Sequence, residues 1–245
     1  MITNDVAIPE IGVGSAYGHA WKQLWPNFLM LFLIGLIAGV ISIGSSVLDG
    51  VSQYGAALGE SGNGAGVVIA IVATLLSAAY ALLVGIPLEF GMDFVNLKAA
   101  RNEKLKIQDL FEVLHNYWNA VLAGFLVAVV VLLGFLFLIV PGVIFACKLM
   151  FTPYLVVDRK MSAVEAMMES WRMTSGHAWK VFFVGLMGIP IVIAGLLCFI
   201  VGVIISGMWI MLAFASLYHA VSSAEDARFG VEDPYELTPD LPPLP

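Results

Sequence analysis

Three charged residues sit where a charge is costly. Glu89 and Asp93 occur in "PLEFGMDF", four residues apart and therefore on one helix face, and Lys148 occurs in "IFACKLMF". Each is embedded in an otherwise apolar run. In a bilayer such a residue marks a pairing site or a path for ions, protons or substrate. Counting back from Lys98 and Asp158 at 1.5 Å per residue puts Glu89 about 13 Å deep and Lys148 about 15 Å deep. The depths match, so Glu89 and Lys148 are expected to face each other inside a bundle, with Asp93 one turn nearer the cytoplasm. A pair of this kind fixes how two helices dock. The other uses are proton or substrate passage, or a Lys148 that bends its stem back to the interface.

Little else reads as chemistry. His19, His115, His177 and His219 have no metal-ligand spacing, and Cys147 and Cys198 lie in apolar runs without a disulfide or ligand pattern. There is no phosphate-binding glycine loop, no G-x-S-x-G and no nucleophile with a local base. No catalytic residue, metal site or cofactor is assigned, and the chain reads as a non-enzyme. Pro87, Pro153 and Pro190 interrupt apolar runs as helix breaks. Such breaks expose backbone groups to ions in transporters and serve elsewhere as packing kinks. Gly35-x-x-x-Gly39 permits close helix approach.

The elements that must position these residues follow from composition. Of 245 residues 60% are apolar and 12% charged, against roughly 45–50% and about 25% in soluble domains. The useful unit is therefore the spanning helix of about 20 apolar residues. Charge-free or nearly charge-free runs cover Phe28–Leu48, Ala65–Leu88, Tyr117–Val140, Gly142–Val157 and Val181–Val221. The last is long enough for two spans, folded near Gly202, which makes six. The fourth is short and completes its crossing by tilt, local thinning or the preceding "FLIV".

Ten of the eleven Lys and Arg residues then fall on one side, the exception being Lys148. The opposite connections, "DGVSQYGAALGESGNGAG", the Pro141-Gly142 turn and the turn near Gly202, carry none. Both termini are therefore expected in the cytoplasm. The net charge of −7 does not oppose this, since acidic residues contribute little to orientation. The first run lacks a cleavage signature and reads as an uncleaved span.

The word "GHAWK" occurs at 18–22 and again at 176–180. A better internal alignment uses an offset of 150, matching Trp21 with Trp171, Lys22 with Arg172 and Gly35-Leu36 with Gly185-Leu186. It also sets the breaker Pro26-Asn27 on Gly176-His177. A third copy is marked by Asn116 and Gly124. The plan is three hairpin repeats, near 10–98, 99–158 and 159–222, each preceded by an amphipathic interfacial helix. In the third such helix Ser162 and Glu165 form a capping box. Val164, Met167, Met168 and Trp171 take one face, and Glu165, Glu169 and Arg172 the other. The second shows Ile107, Leu110, Phe111 and Leu114, and the first Tyr17, Ala20, Trp21 and Leu24. Trp21, Trp25, Trp118, Trp171 and Trp179 are expected as anchors in the headgroup layer.

The order "VPGVIFACKLMFTPYLVVDRKMS" followed by "AVEAMMESWRMTSGHAWKVF" resembles a group of bacterial six-span inner-membrane proteins. That group includes the membrane domain fused to some glycerophosphodiester phosphodiesterases. The resemblance covers most of 10–222 and is strongest over 139–183. It implies the fold and a bacterial plasma membrane. It does not imply phosphodiesterase activity, because no catalytic barrel accompanies the membrane part.

Residues 223–245 form an acidic, proline-rich tail expected to be disordered in the cytoplasm, with "PDLPPLP" able to dock a partner as polyproline II. The whole reads as an all-α integral membrane protein of six transmembrane helices. It scaffolds or assists a membrane process such as lipid or envelope homeostasis, with membrane lipids, and a protein bound in the membrane or at the tail, as partners. Nucleic acid is not among them. The alternative is a transporter or channel for ions, lipids or small molecules that uses Glu89, Asp93 and Lys148. "KAARNEKLK" marks topology, and it also suits anionic headgroups.

Overall fold

The computed structural model describes residues 10–229, and every regular element among them is helical. Six helical stretches are long and apolar enough to cross a membrane: Val13–Glu60, Gly64–Ala100, Ile107–Phe137, Ile139–Asp158, Ala178–Leu197 and Gly202–Arg228. The helices are α1 (Val13–Glu60), α2 (Gly64–Tyr80), α3 (Ile86–Ala100), α4 (Tyr117–Phe137), α5 (Ile139–Leu149), α6 (Thr152–Asp158), α7 (Ala163–Thr174), α8 (Ala178–Leu197) and α9 (Phe199–Phe229), of which α7 lies outside the six stretches. A π-helical turn at Ala81–Gly85 joins α2 to α3, and a 3₁₀ helix at Ile107–Asn116 leads into α4.

α1 is 48 residues long, roughly 72 Å at 1.5 Å per residue, more than twice a hydrocarbon layer of roughly 30 Å. Two sequence expectations fail here. Pro26-Asn27 does not break the helix, because a proline removes one backbone bond and an otherwise favourable helix continues past it. The Asn27 amide donates to the Gln23 carbonyl at 3.0 Å one step further on. The stretch "DGVSQYGAALGESGNGAG" is not an open connection either: α1 runs to Glu60 and α2 starts at Gly64. The turn between them uses Gly62 at φ +84° and an Asn63 side chain that accepts from the Ala65 N–H at 3.0 Å.

The glycines of this stretch are contact points. A Cβ on Gly66 would lie 2.6 Å from the Leu58 Cβ and 2.7 Å from the Gly59 nitrogen, and one on Gly55 would lie 2.7 Å from the Ala70 nitrogen. Lipid gives no hydrophobic drive between helices, so close backbone approach and hydrogen bonds must join them. Ser52 and Thr74 hydroxyls meet at 2.6 Å, Ser77 donates to Asp49, and Tyr80 lies over Gly44 and donates to the Ile41 carbonyl at 2.6 Å. The partner numbers fall as α1 advances, so α1 and α2–α3 run antiparallel. Similar glycine contacts join Gly134 to Gly142 between α4 and α5, and Gly195 to Gly202 between α8 and α9.

The buried centre is built around α9, where Leu212, Ala213, Ala215, Leu217 and Tyr218 have no exposed surface, against Ala20, Leu24 and Ile34 of α1, Val95 and Leu97 of α3 and Phe151, Leu155 and Val156 near α6. α9 continues to Phe229, so 223–229 of the expected disordered tail is helical. Residues 230–245 of that tail lie outside the described residues.

Candidate functional site

Lys148 and Glu89 do not meet. The Lys148 ammonium donates to the Ser175 hydroxyl at 2.8 Å and sits 4.9 Å from the centre of the Trp171 ring. Ser175 in turn donates to the Trp171 carbonyl at 2.6 Å. This place is the C-terminal end of α7, where unpaired carbonyls give a partial negative charge that favours a cation. A flexible stem reaches that end, so no carboxylate on another span is needed to stabilise the charge. The sequence could not place α7 beside Lys148, and depth alone suggested the wrong partner.

Glu89 is exposed and Asp93 half-buried. The 3₁₀ helix lies along this part of α3: a Cβ on Gly91 would strike the Leu110 carbonyl. The Asp93 carboxyl lies near the Tyr154 hydroxyl. Tyr154 stacks on Tyr218 with ring centres 4.9 Å apart and planes at 15°. Tyr218 donates to the Asp158 carboxylate at 3.2 Å, which also takes both arms of Arg101, at 2.6 and 2.8 Å. The Arg101 and Asp158 side chains are only 13% and 7% exposed. One continuous line of polar and aromatic groups thus ties α3, α6 and α9.

Around it further ion pairs close the same end: Arg159 to Asp226 at 2.9 Å, Arg172 to Glu169 at 2.6 Å and to Glu225 at 3.2 Å, and Lys98 to Asp109 at 3.0 Å. The basic residues expected to mark topology also pin helices together. The Arg172 hydrogen bond holds Glu169 below the usual carboxylate range. Glu165 is held low by the Ser162 hydroxyl and backbone N–H, as the capping box requires.

The prolines differ in effect. Pro87 lacks the N–H that would bond the Leu83 carbonyl, and the Tyr117 hydroxyl supplies a donor there at 2.8 Å. The π turn directly precedes this point. Before Pro153 the fourth span divides into α5 and α6. The freed Lys148 carbonyl accepts from Ser170 at 2.8 Å and from Thr174 at 3.0 Å, and the Phe151 N–H donates to Ser170 at 3.2 Å. Pro190 is not the break expected of it, since α8 runs through it. Tyr117, Tyr154, Tyr218, Ser170, Thr174, Arg101 and Asp158 were not read as site residues. The signal available was a polar side chain inside or next to an apolar run.

α7 divides into three faces. Ala163, Ala166, Ser170, Met173 and Thr174 are buried against the protein, Val164, Met168 and Trp171 are exposed, and Glu165, Glu169 and Arg172 are charged. Trp21, Trp25, Trp118 and Trp179 are also exposed, Trp118 and Trp179 by about three quarters. Trp209 differs, donating to the Tyr17 carbonyl at 3.0 Å. The repeated pentapeptide takes two conformations: 18–22 is helical within α1, whereas Gly176 is left-handed at φ +95° and Ala178–Lys180 opens α8.

An apolar groove of about 640 Å³ lies between α1, α8 and α9, lined by Val13, Tyr17, Trp21, Pro190, Ile191, Gly195, Ser206 and Trp209 among others. Among the described residues no group of three or more His, Cys, Asp and Glu side chains is placed to hold a metal. No protein-family model, curated protein or solved structure matches the chain. The resemblance to phosphodiesterase-linked membrane domains therefore rests on the quoted residues alone.

Proposed function

We propose that this chain is a non-enzymatic scaffold of the bacterial inner membrane that assists a lipid or envelope process and acts through its lipid contacts. Its three hairpin repeats are each introduced by an interfacial stretch, and its basic end and both termini lie in the cytoplasm. The observation that carries this reading is the threefold division of α7. Its small and hydroxyl-bearing residues clamp the α5–α6 break, its charged residues form a solvated face, and Val164, Met168 and Trp171 project away from the protein. A helix with that distribution suits the plane between headgroups and acyl chains. Ile107, Phe111 and Leu114 of the 3₁₀ helix and Trp21 and Trp25 of α1 supply exposed apolar groups for the other two stretches. The acidic tail and the membrane-facing surface are where a protein partner would dock.

A second reading, a transporter, draws on Asp93, Tyr154, Tyr218 and Asp158, since polar groups inside a membrane bundle can mark an ion or proton path. Flux in proteoliposomes separates the two. The scaffold predicts proton and ion flux equal to that of protein-free vesicles, unchanged in Glu89→Gln and Asp93→Asn. Flux above background that those variants abolish would establish the transporter instead.

A further inference from the structure

We propose that Lys148, Ser175 and Trp171 form a binding site for the phosphate of an anionic phospholipid. The inference rests on the reading that α7 lies at the membrane surface.

Lys148 is a cation in an apolar span, and among the described residues no carboxylate comes within ion-pair distance of it. The acids on the neighbouring helix are already engaged: Glu165 caps Ser162, and Glu169 grips Arg172 with both oxygens. The surroundings hold the ammonium in place without neutralising it. Ser175 takes one of its three N–H donors. The Trp171 ring underlies it and is itself held against Phe145, with ring centres 5.8 Å apart. Two donors remain, and Ser175 and Trp171 are both exposed, so the site opens on the side where Val164 and Met168 project.

An ammonium left with free donors at the membrane surface attracts the anionic headgroups there. At the boundary where α8 begins, the abundant anion is a lipid phosphate. Its acyl chains would run beside the exposed Trp179 and Phe183 of α8 while its phosphate takes the free Lys148 donors.

The test uses the full chain in detergent micelles and native mass spectrometry, titrated with phosphatidylglycerol and separately with phosphatidylcholine. The wild-type chain should hold phosphatidylglycerol in preference, and Lys148→Met should weaken that binding about five-fold, the value of one charge near an anionic surface. Lys148→Arg should keep it. Ser175→Ala, which leaves the charge and frees its orientation, should weaken it less and serves as the second variant if Lys148→Met does not fold. An excess of inorganic phosphate should not displace the lipid; displacement would make the ligand a free anion and overturn the lipid assignment. Equal binding by wild type and Lys148→Met, or by wild type and Ser175→Ala if only the latter folds, would overturn the site. Quenching of a variant with Trp171 as sole tryptophan by bromolipids separates the two claims. Quenching without Lys148-dependent binding sinks the site alone, and no quenching sinks the surface placement of α7 as well.

Discussion

Between Ile41 and Tyr80 two helices are joined by glycines and hydroxyls, while at the ends of α3, α6 and α9 the helices are joined by carboxylates and guanidinium groups. The first region has apolar residues facing outward, such as Val47, Val51, Val68 and Leu75, and its internal face is small: Gly55, Gly59, Gly66 and Ala73. The second has apolar and aromatic packing on the inside, with Phe151, Tyr154 and Tyr218 around one buried ion pair. The difference is the one expected between a junction surrounded by lipid and one reached by water. Where lipid surrounds a helix, burying a leucine gains little, so contact distance and weak hydrogen bonds decide the packing. Where water reaches the ends, charged groups can be recruited, and one buried pair with complete geometry fixes the docking.

The strongest way to break this contrast is at Arg101. Arg101→Met leaves Asp158 buried without its bidentate partner and should cost about 3–5 kcal/mol, read as a lowered denaturation midpoint in detergent. Arg101→Met combined with Asp158→Leu should recover much of the loss. If the double variant is no better than the single one, the pair is not the lock of that junction.

A smaller loss is expected in the hairpin. Gly66→Ala sets a methyl group against the Leu58 Cβ and the backbone of Gly55 and Gly59, and overpacking of this kind costs about 1–3 kcal/mol. Gly50→Ala, at a position with nothing within 4 Å of the added carbon, is the control and should be neutral or slightly stabilising. Equal melts for the two would mean that α1 and α2 are not in tight contact. Ser52→Ala, which removes the hydrogen bond to Thr74, should cost only about 0.6 kcal/mol, the average of interhelical hydrogen bonds measured in membranes.

The smallest effect concerns pH. Glu165 and Glu169 are held below their ordinary range by Ser162 and Arg172 respectively. Their contribution to α7 is complete above the unfolded-state value, near 4.3, and is lost as pH falls through the lowered folded values. Amide exchange corrected for intrinsic rate should show α7 opening more readily at about pH 3 than at about pH 6, with the difference reduced in Glu165→Gln. No change with pH would mean that the cap does not hold the helix end.

The six spans and the capping box of α7 were legible because each is local: an uncharged run of sufficient length, and a serine three residues before a glutamate. Glycines misled, because Gly55, Gly59 and Gly66 look the same in sequence whether they bend a chain or let two helices touch. Prolines misled at positions 26 and 190 for a related reason, since one missing backbone bond does not stop an otherwise favourable helix. The partner of Lys148 was illegible because depth constrains one coordinate only. Whether α3 or α7 stands beside it at that depth depends on packing. The Arg101–Asp158 bond, 57 residues apart in the chain, carried no periodic signature at all.

The interruption ahead of Pro153 has a consequence for biogenesis. Its open carbonyl is filled by hydroxyls from Ser170 and Thr174, residues that leave the ribosome only after the fourth span has been made. A bare carbonyl in hydrocarbon is expensive, so this segment has reason to stay in the aqueous lumen of the insertion machinery until its downstream clasp has been synthesised. Release of the Ile139–Asp158 span is thereby coupled to translation of α7.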